Sequence, residues 1–325
     1  MSHSTQADIQ DIPSIVQPQA LSSEPLPDPL FGNLEISGKP IYQGTFSDVY
    51  KGIWKYDTKE IIVCIKVLRR CGVREPVPGL TEDDRFERRI KREMLIWSAA
   101  DHRNVVRFIG YQWIKDSPWL VSPWIEKRSL ADYVRLTTGV SRAAKLKMLQ
   151  DATTGLAYLH GLKPWIAHGD LKPENILILD DCTAALCDFG TSRVMADLSG
   201  HTGFTTSGSA AGTAGYQAKE LISGNTLPTT SSDIYAVGGV ILWTMSGKEP
   251  FYHEKTKAKV FFAIILDQKC QPAHHPELGA DDLLWELLNQ CWESEPKSRP
   301  DAMQVVRELD AAILREPPPY SEGTI

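Results

Sequence analysis

The sequence predicts an α+β chain in two parts, a small β-rich region with one main helix followed by a larger, mainly helical region. Three observations carry this. The run IIVCIKVL (61–68) is β-branched and strand-forming, with one lysine set in it. From Thr81, TEDD offers an N-cap and an acidic first turn ahead of FERRIKREMLIW, so a helix follows that strand. Over 141–160, Leu149, Ala152, Leu156 and Leu159 recur at helical spacing. Further helices are expected over 231–246, 255–268, 281–291 and 301–314. A β-rich part followed by a helical part implies a cleft between lobes, where ligands usually sit.

The 325 residues are 42 % apolar and 23 % charged, with a net charge of −6. This is ordinary soluble-protein usage, and it argues against a nucleic-acid surface or a polybasic membrane anchor. No apolar run nears the ~20 residues that span a bilayer. MSHSTQADIQDIPS lacks the basic-then-apolar order of a signal peptide. Six cysteines (64, 71, 182, 187, 270, 291) show no CxxC spacing and read as reduced thiols, which points to a soluble, cytoplasmic protein. Residues 1–33, rich in Ser, Gln and Pro, read as a disordered tail; 34–314 reads as one globular region, and 315–325 as a second tail.

Chemistry begins at Lys66. Alternate residues of a strand share a face, so Cys64 and Lys66 point one way and Val63, Ile65 and Val67 the other. A lysine in so apolar a run needs an anionic partner unless the strand is a surface one with a solvated lysine. Glu93, in the helix that follows, is the natural partner.

In IAHGDLKPENILIL (166–179), Asp170 can accept the proton of an attacking hydroxyl and Lys172 can neutralise a transferring phosphoryl group. Asn175 offers a carbonyl oxygen suited to Mg²⁺. The bland alternative is a polar turn before a strand, which Pro173 suits. Asp188 in CDFG is a second hard oxygen ligand.

The ordered set resembles the protein-kinase signature: VCIK for the strand lysine, HGDLKPEN for the catalytic loop, DFG, then GTAGYQAKE (212–220), SDIYAVGGVILW (232–243) and CWESEPKSRP (291–300). The resemblance is to the tyrosine-kinase-like group, with serine/threonine specificity expected from DLKPEN. It covers 34–314 and implies an N-lobe (34–121), a hinge (122–128) and a C-lobe (129–314).

By this resemblance Lys66 holds the α- and β-phosphates of ATP and pairs with Glu93. Asp170 is the base, Lys172 assists it, and Asn175 and Asp188 hold Mg²⁺. Glu220 pairs with Arg299, and Asp233 braces the catalytic loop. Apolar contacts linking the lobes run through Phe108, Trp97, Phe189 and His168. ATP is further held by Gly44, and Ile41, Val49, Cys64 and Leu177 sandwich its adenine. Pro123 and Ile125 offer the carbonyl and amide that read the base, and Ser122 is a small gatekeeper that should open a back pocket.

Departures qualify this. In IYQGTFSDVY, Tyr42 and Ser47 replace two of three expected glycines, so weaker ATP binding is expected. Gly169 stands where many kinases have an arginine that pairs with a phosphorylated activation segment, so that switch should be absent or altered. Lys219 replaces a proline. Eight Ser/Thr between Gly190 and Gly212 suit a polar lid more than a phosphorylated switch, and the Gly- and Pro-containing join at 69–80 reads as an inserted loop.

The expected partners are protein substrates, with no nucleic acid; regulatory partners are left open. The main rival is a pseudokinase scaffold, favoured by the degraded glycine loop and opposed by Lys66, Glu93, Asp170, Asn175 and Asp188. A small-molecule phosphotransferase is opposed by the GTAGYQAKE segment and Arg299. A P-loop NTPase fails because Pro40 follows Gly38-Lys39 and Asn33 holds the upstream glycine position.

Overall fold

The computed structural model describes residues 26–44, 47–69, 81–190, 192–194, 213–223 and 226–317. The chain divides into two compact units. The first runs to Asp101 and resumes over Val106–Trp124; the second comprises His102–Val105 and the chain from Ile125 onward. The Ser/Thr-rich stretch 195–212 and the inserted loop 70–80 lie outside the described residues.

The first unit is an antiparallel sheet and one long helix. Its strands are β1 (Asn33–Ile36), β2 (Tyr42–Gln43), β3 (Ser47–Tyr56), β4 (Lys59–Leu68), β5 (Gly110–Ile114) and β6 (Ser117–Pro123). The order is β1-β3-β4-β6-β5, with β2 paired to β3. Two of the hairpin turns use polar residues in left-handed backbone: Asp57 (φ 49°) joins β3 to β4, and Lys115 and Asp116 (φ 49° and 61°) join β5 to β6. Val63 and Ile65 of β4 bury one face with Leu34, Trp54 and Val121, which leaves the opposite face to Cys64 and Lys66. The helix α1 (Glu82–Ala99) starts where TEDD predicts and buries Ile90, Met94 and Ile96.

The disordered tail assigned to 1–33 is too long. Leu30 N–H donates to Tyr111 O at 2.8 Å, and Gln112 Nε2 donates to Leu30 O and Gly32 O at 2.7 and 2.9 Å. Trp54 Nε1 donates to Phe31 O at 2.9 Å, and the Phe31 ring lies 5.4 Å from that of Tyr56. Gly32 (φ 88°) is required here, because a Cβ would lie 2.2 Å from Lys55 O. Residues 30–33 read as tail because they adjoin a Ser- and Pro-rich stretch, but these hydrogen bonds hold them, together with the packing of Leu30 against the sheet core and of Phe31 against Trp54 and Tyr56.

The second unit is helical with short strands. It contains α2 (Leu130–Leu136), α3 (Arg142–Gly161), β7 (Ile166–Ala167), β8 (Ile176–Ile178), β9 (Ala184–Leu186), β10 (Arg193–Val194), α4 (Lys219–Ile222), α5 (Thr230–Ser246), α6 (Lys257–Ile265), α7 (Leu284–Cys291) and α8 (Ala302–Arg315). Leu149, Ala152, Leu156 and Leu159 are all buried, as the α3 spacing predicts. α5 is buried along nearly its whole length and around its whole circumference, so it forms the centre of this unit.

α6 ends three residues earlier than predicted, where the chain turns through Asp267 (φ 56°). α7 begins three residues later, with Asp282 Oδ1 accepting from Leu284 N–H. The C-terminal tail also starts later than 315: Arg315 ends α8, and Glu316 Oε1 accepts from Arg142 Nε at 2.8 Å.

Candidate active site

In the first unit the candidate residues gather on one face of β4 and its neighbours. Lys66 lies opposite Val49 of β3 and Leu120 of β6, and Cys64 lies opposite Ser122. Lys66 is 8 % exposed and Glu93 is 1 % exposed, with Nζ 2.5 Å from Oε1. A surface strand with a solvated lysine is thereby ruled out, since a charge this deep is tolerable only against a counter-charge. Glu93 Oε2 is buried without a hydrogen bond. Burial pushes the Cys64 thiol up, against the opposing pull of its Ser122 hydrogen bond and the Lys66 charge. Trp97 and Phe108 pack with ring centroids 5.2 Å apart.

Ile41 N–H donates to Val49 O at 2.7 Å, and Gly44 N–H donates to Ser47 O at 2.8 Å, closing the β2–β3 turn. Thr45 and Phe46, at its tip, lie outside the described residues. Tyr42 and Ile41 are exposed, whereas Ser47 is buried. Pro123 ends β6, where its missing N–H costs the ladder nothing further.

In the second unit the loop from β7 to β8 forms a bonded cluster. Lys172 Nζ donates to Asp170 Oδ2 at 2.8 Å, and Asn175 Nδ2 donates to Asp170 O at 2.8 Å and to Oδ2 at 3.1 Å. Both donors meet the same carboxylate oxygen, so neither occupies Oδ1. Because the Asn175 amide nitrogen faces Asp170, its carbonyl oxygen faces away and is free to ligate. Leu177, in the strand that follows, is half-buried, and Ile125 accepts at its carbonyl from Arg128 N–H at 3.3 Å.

Asp188 sits at φ 66°. An aspartate tolerates this region because its side chain can bond its own backbone, and Gly190 N–H donates to Asp188 Oδ1 at 3.3 Å. Phe189 is fully buried against His168, with ring centroids 5.5 Å apart.

Asp233 fixes the start of this loop. It is 1 % exposed and accepts from the backbone N–H of His168 (2.8 Å) and of Gly169 (2.9 Å). Gly169 stands at φ 83°, where glycine alone carries no Cβ penalty.

Sequence reasoning missed two partners here. His160 Nε2 lies 2.9 Å from Asp233 Oδ2, and Ser192 Oγ donates to His168 O at 2.9 Å. Both pairings join distant segments and leave no spacing signal.

Arg299 donates from Nη1 and Nη2 to the two Glu220 carboxylate oxygens at 2.7 and 2.9 Å. Lys219, in place of proline, pairs with Asp267. Magnesium prefers hard oxygen ligands; the Asn175 carbonyl and the Asp188 carboxylate suit it.

A sheet-and-helix unit with a buried lysine–glutamate pair and a helical unit with this aspartate loop, in one chain, define the protein-kinase class. The chain belongs to that family: the model described as "Protein kinase domain" matches residues 37–309. It is 30 % identical over 234 residues to human receptor-interacting serine/threonine-protein kinase 3, covering 68 % of this chain and 44 % of that protein. It is 27 % identical over 273 residues to a dual specificity protein kinase of Dictyostelium discoideum, covering 83 % and 50 %. A probable LRR receptor-like serine/threonine-protein kinase of Arabidopsis thaliana is 31 % identical over 293 residues, covering 86 % and 30 %. The chain therefore spans half or less of the length of these relatives. Among the described residues no helix is long and apolar enough to cross a membrane.

Proposed function

We propose that the chain transfers the γ-phosphoryl group of ATP to serine or threonine hydroxyls of protein substrates. The observation that carries this is the convergence of Lys172 and Asn175 on one oxygen of Asp170. It orients the carboxylate, with Oδ1 left to accept the proton of the attacking hydroxyl. Bound Mg-ATP supplies the activated phosphoryl group.

Lys172 offsets negative charge building on the transferred group. Lys66, held by Glu93, contacts the α- and β-phosphates, and Gly44 lies over the phosphate chain. Asn175 and Asp188 are the metal ligands. Ile41, Val49, Cys64 and Leu177 enclose the adenine, and the Pro123 carbonyl and Ile125 amide read its edge. Ser122, a small gatekeeper, leaves room behind the base. With Gly169 in place of an arginine, activity does not depend on a phosphate–arginine pair beside Asp170. Two of the three relatives are named serine/threonine-protein kinases and the third a dual specificity kinase, which supports serine/threonine as acceptors.

Purified protein with Mg-ATP should phosphorylate itself or a peptide array on serine and threonine. Asp170→Asn and Lys66→Met should remove this signal while remaining folded. Phosphate appearing only on tyrosine would overturn the specificity. Transfer absent from the folded native chain would leave the pseudokinase scaffold as the better reading.

A further inference from the structure

We infer that Arg69 is a positioning residue for the phosphate-binding turn, replacing restraint that the missing glycines do not provide. The inference rests on the nucleotide reading of the Gly44 turn. Two of the three glycine positions of this hairpin are occupied by Tyr42 and Ser47. The Tyr42 ring lies over the remaining one, and a Cβ on Gly44 would come within 3.1 Å of its Cε1.

Arg69, directly after β4, reaches across to β2 and β3. Its Nη2 donates to Gly44 O, and its Nη1 stands 3.5 Å from Asp48 Oδ1. Gly44 N–H is meanwhile committed to Ser47 O at 2.8 Å. One guanidinium therefore ties the carbonyl at the start of the turn to a carboxylate just after it.

The contact to Gly44 is the closer one, while the Asp48 pair is longer than a charge-assisted hydrogen bond. Arg69 should accordingly matter more than Asp48. A planar fork can serve both acceptors at once; a lysine ammonium, a single point of charge on a flexible stem, is less suited to it. The position also adds positive charge beside the phosphate chain. Phosphate binding should depend on Arg69, and adenine binding should not.

The test compares dissociation constants for Mg-ATP and for adenosine in the native chain, Arg69→Ala, Arg69→Lys and Asp48→Asn. Losing one partly exposed charge-assisted hydrogen bond should weaken Mg-ATP binding roughly five- to tenfold in Arg69→Ala. Adenosine binding should stay at its native value with the melting temperature lowered by at most a few degrees, Arg69→Lys should recover only part of the loss, and Asp48→Asn should fall between native and Arg69→Ala. KM for ATP should rise more than kcat falls. Unchanged Mg-ATP affinity in Arg69→Ala would overturn the inference. So would an equal loss of adenosine affinity, which marks general damage to the sheet. If the native chain binds adenosine but gains nothing from the phosphates, the nucleotide reading itself fails, and the Arg69 role with it.

Discussion

The guanidinium of Arg299 meets the carboxylate of Glu220 edge to edge, through two nearly parallel bonds of 2.7 and 2.9 Å. Arg299 is also fixed by Ser231 O and Glu293 O, and its guanidinium carbon lies 5.3 Å from the centre of the Tyr235 ring. It thus joins α4, the start of α5 and the segment before α8. Arg299→Ala leaves Glu220 facing a buried gap, so it should destabilise the second unit by about 3 kcal/mol or more. Arg299→Lys should recover little, because it cannot reproduce the fork. Urea unfolding is the check; a midpoint shift worth less than about 1 kcal/mol would contradict this account.

His275 predicts an acid limit on stability. It is fully buried, with Nδ1 3.1 Å from Ser246 Oγ and Nε2 without a hydrogen bond. Burial pushes its pKa down to about 4; Lys248, His274 and His253 act in the same direction, and Glu277 opposes. The unfolded chain takes up this proton near pH 6.5 and the folded chain only near 4, so protonation favours unfolding. The stabilising contribution is complete above about pH 6.5 and is lost between about 6.5 and 4, to a limit of about 3 kcal/mol. Melting temperatures from pH 7.5 to 4 should show a shallower fall in His275→Leu than in the native chain.

Cys182 should be the fastest of the described cysteines to alkylate. It is exposed, and its thiol is held below the usual range chiefly by a hydrogen bond from Lys127 (2.9 Å), with the Tyr133 hydroxyl also bonded to it. Burial pushes Cys270 and Cys291 up to about 12. The thiolate is the reactive form, so iodoacetamide at neutral pH should label Cys182 first. Lys127→Met should slow that labelling and leave the other sites unchanged; labelling unaffected by this substitution would refute the role of Lys127.

A chain beginning at residue 34 should be less stable than one beginning at residue 26. The shorter form loses the Leu30, Phe31 and Gly32 bonds to Tyr111, Trp54 and Gln112. At about 0.5–1 kcal/mol for each of these four partly exposed hydrogen bonds, the difference should be about 2–4 kcal/mol. Equal melting temperatures for the two forms would show that this segment contributes nothing.

How much of the site could be read from sequence depended on whether a residue's environment is local. Lys66 was legible because a charge inside a β-branched run has few solutions, and Glu93 because a helix follows that strand. Asp170, Lys172 and Asn175 lie within six residues of one another, so their spacing already states their geometry. Arg69, His160 and Ser192 were not legible. Each acts on a partner reached only when separate segments pack, and an isolated Arg, His or Ser carries no periodic signal.

The sequence by itself determined the two-part α+β order, the buried face of α3, the face of β4 that carries Lys66, and the start of α1. These follow from side-chain periodicity and capping, which are properties of neighbouring residues. Tertiary structure decided where α6 and α7 stop and start, that residues 30–33 belong to the sheet, and that Glu316 is held by Arg142. It also decided which amides Asp233 takes in bracing the loop, those of His168 and Gly169, and that Arg69 reaches the Gly44 carbonyl. Those outcomes are hydrogen bonds and ion pairs between segments far apart in the chain, and their energy exists only once the units have folded.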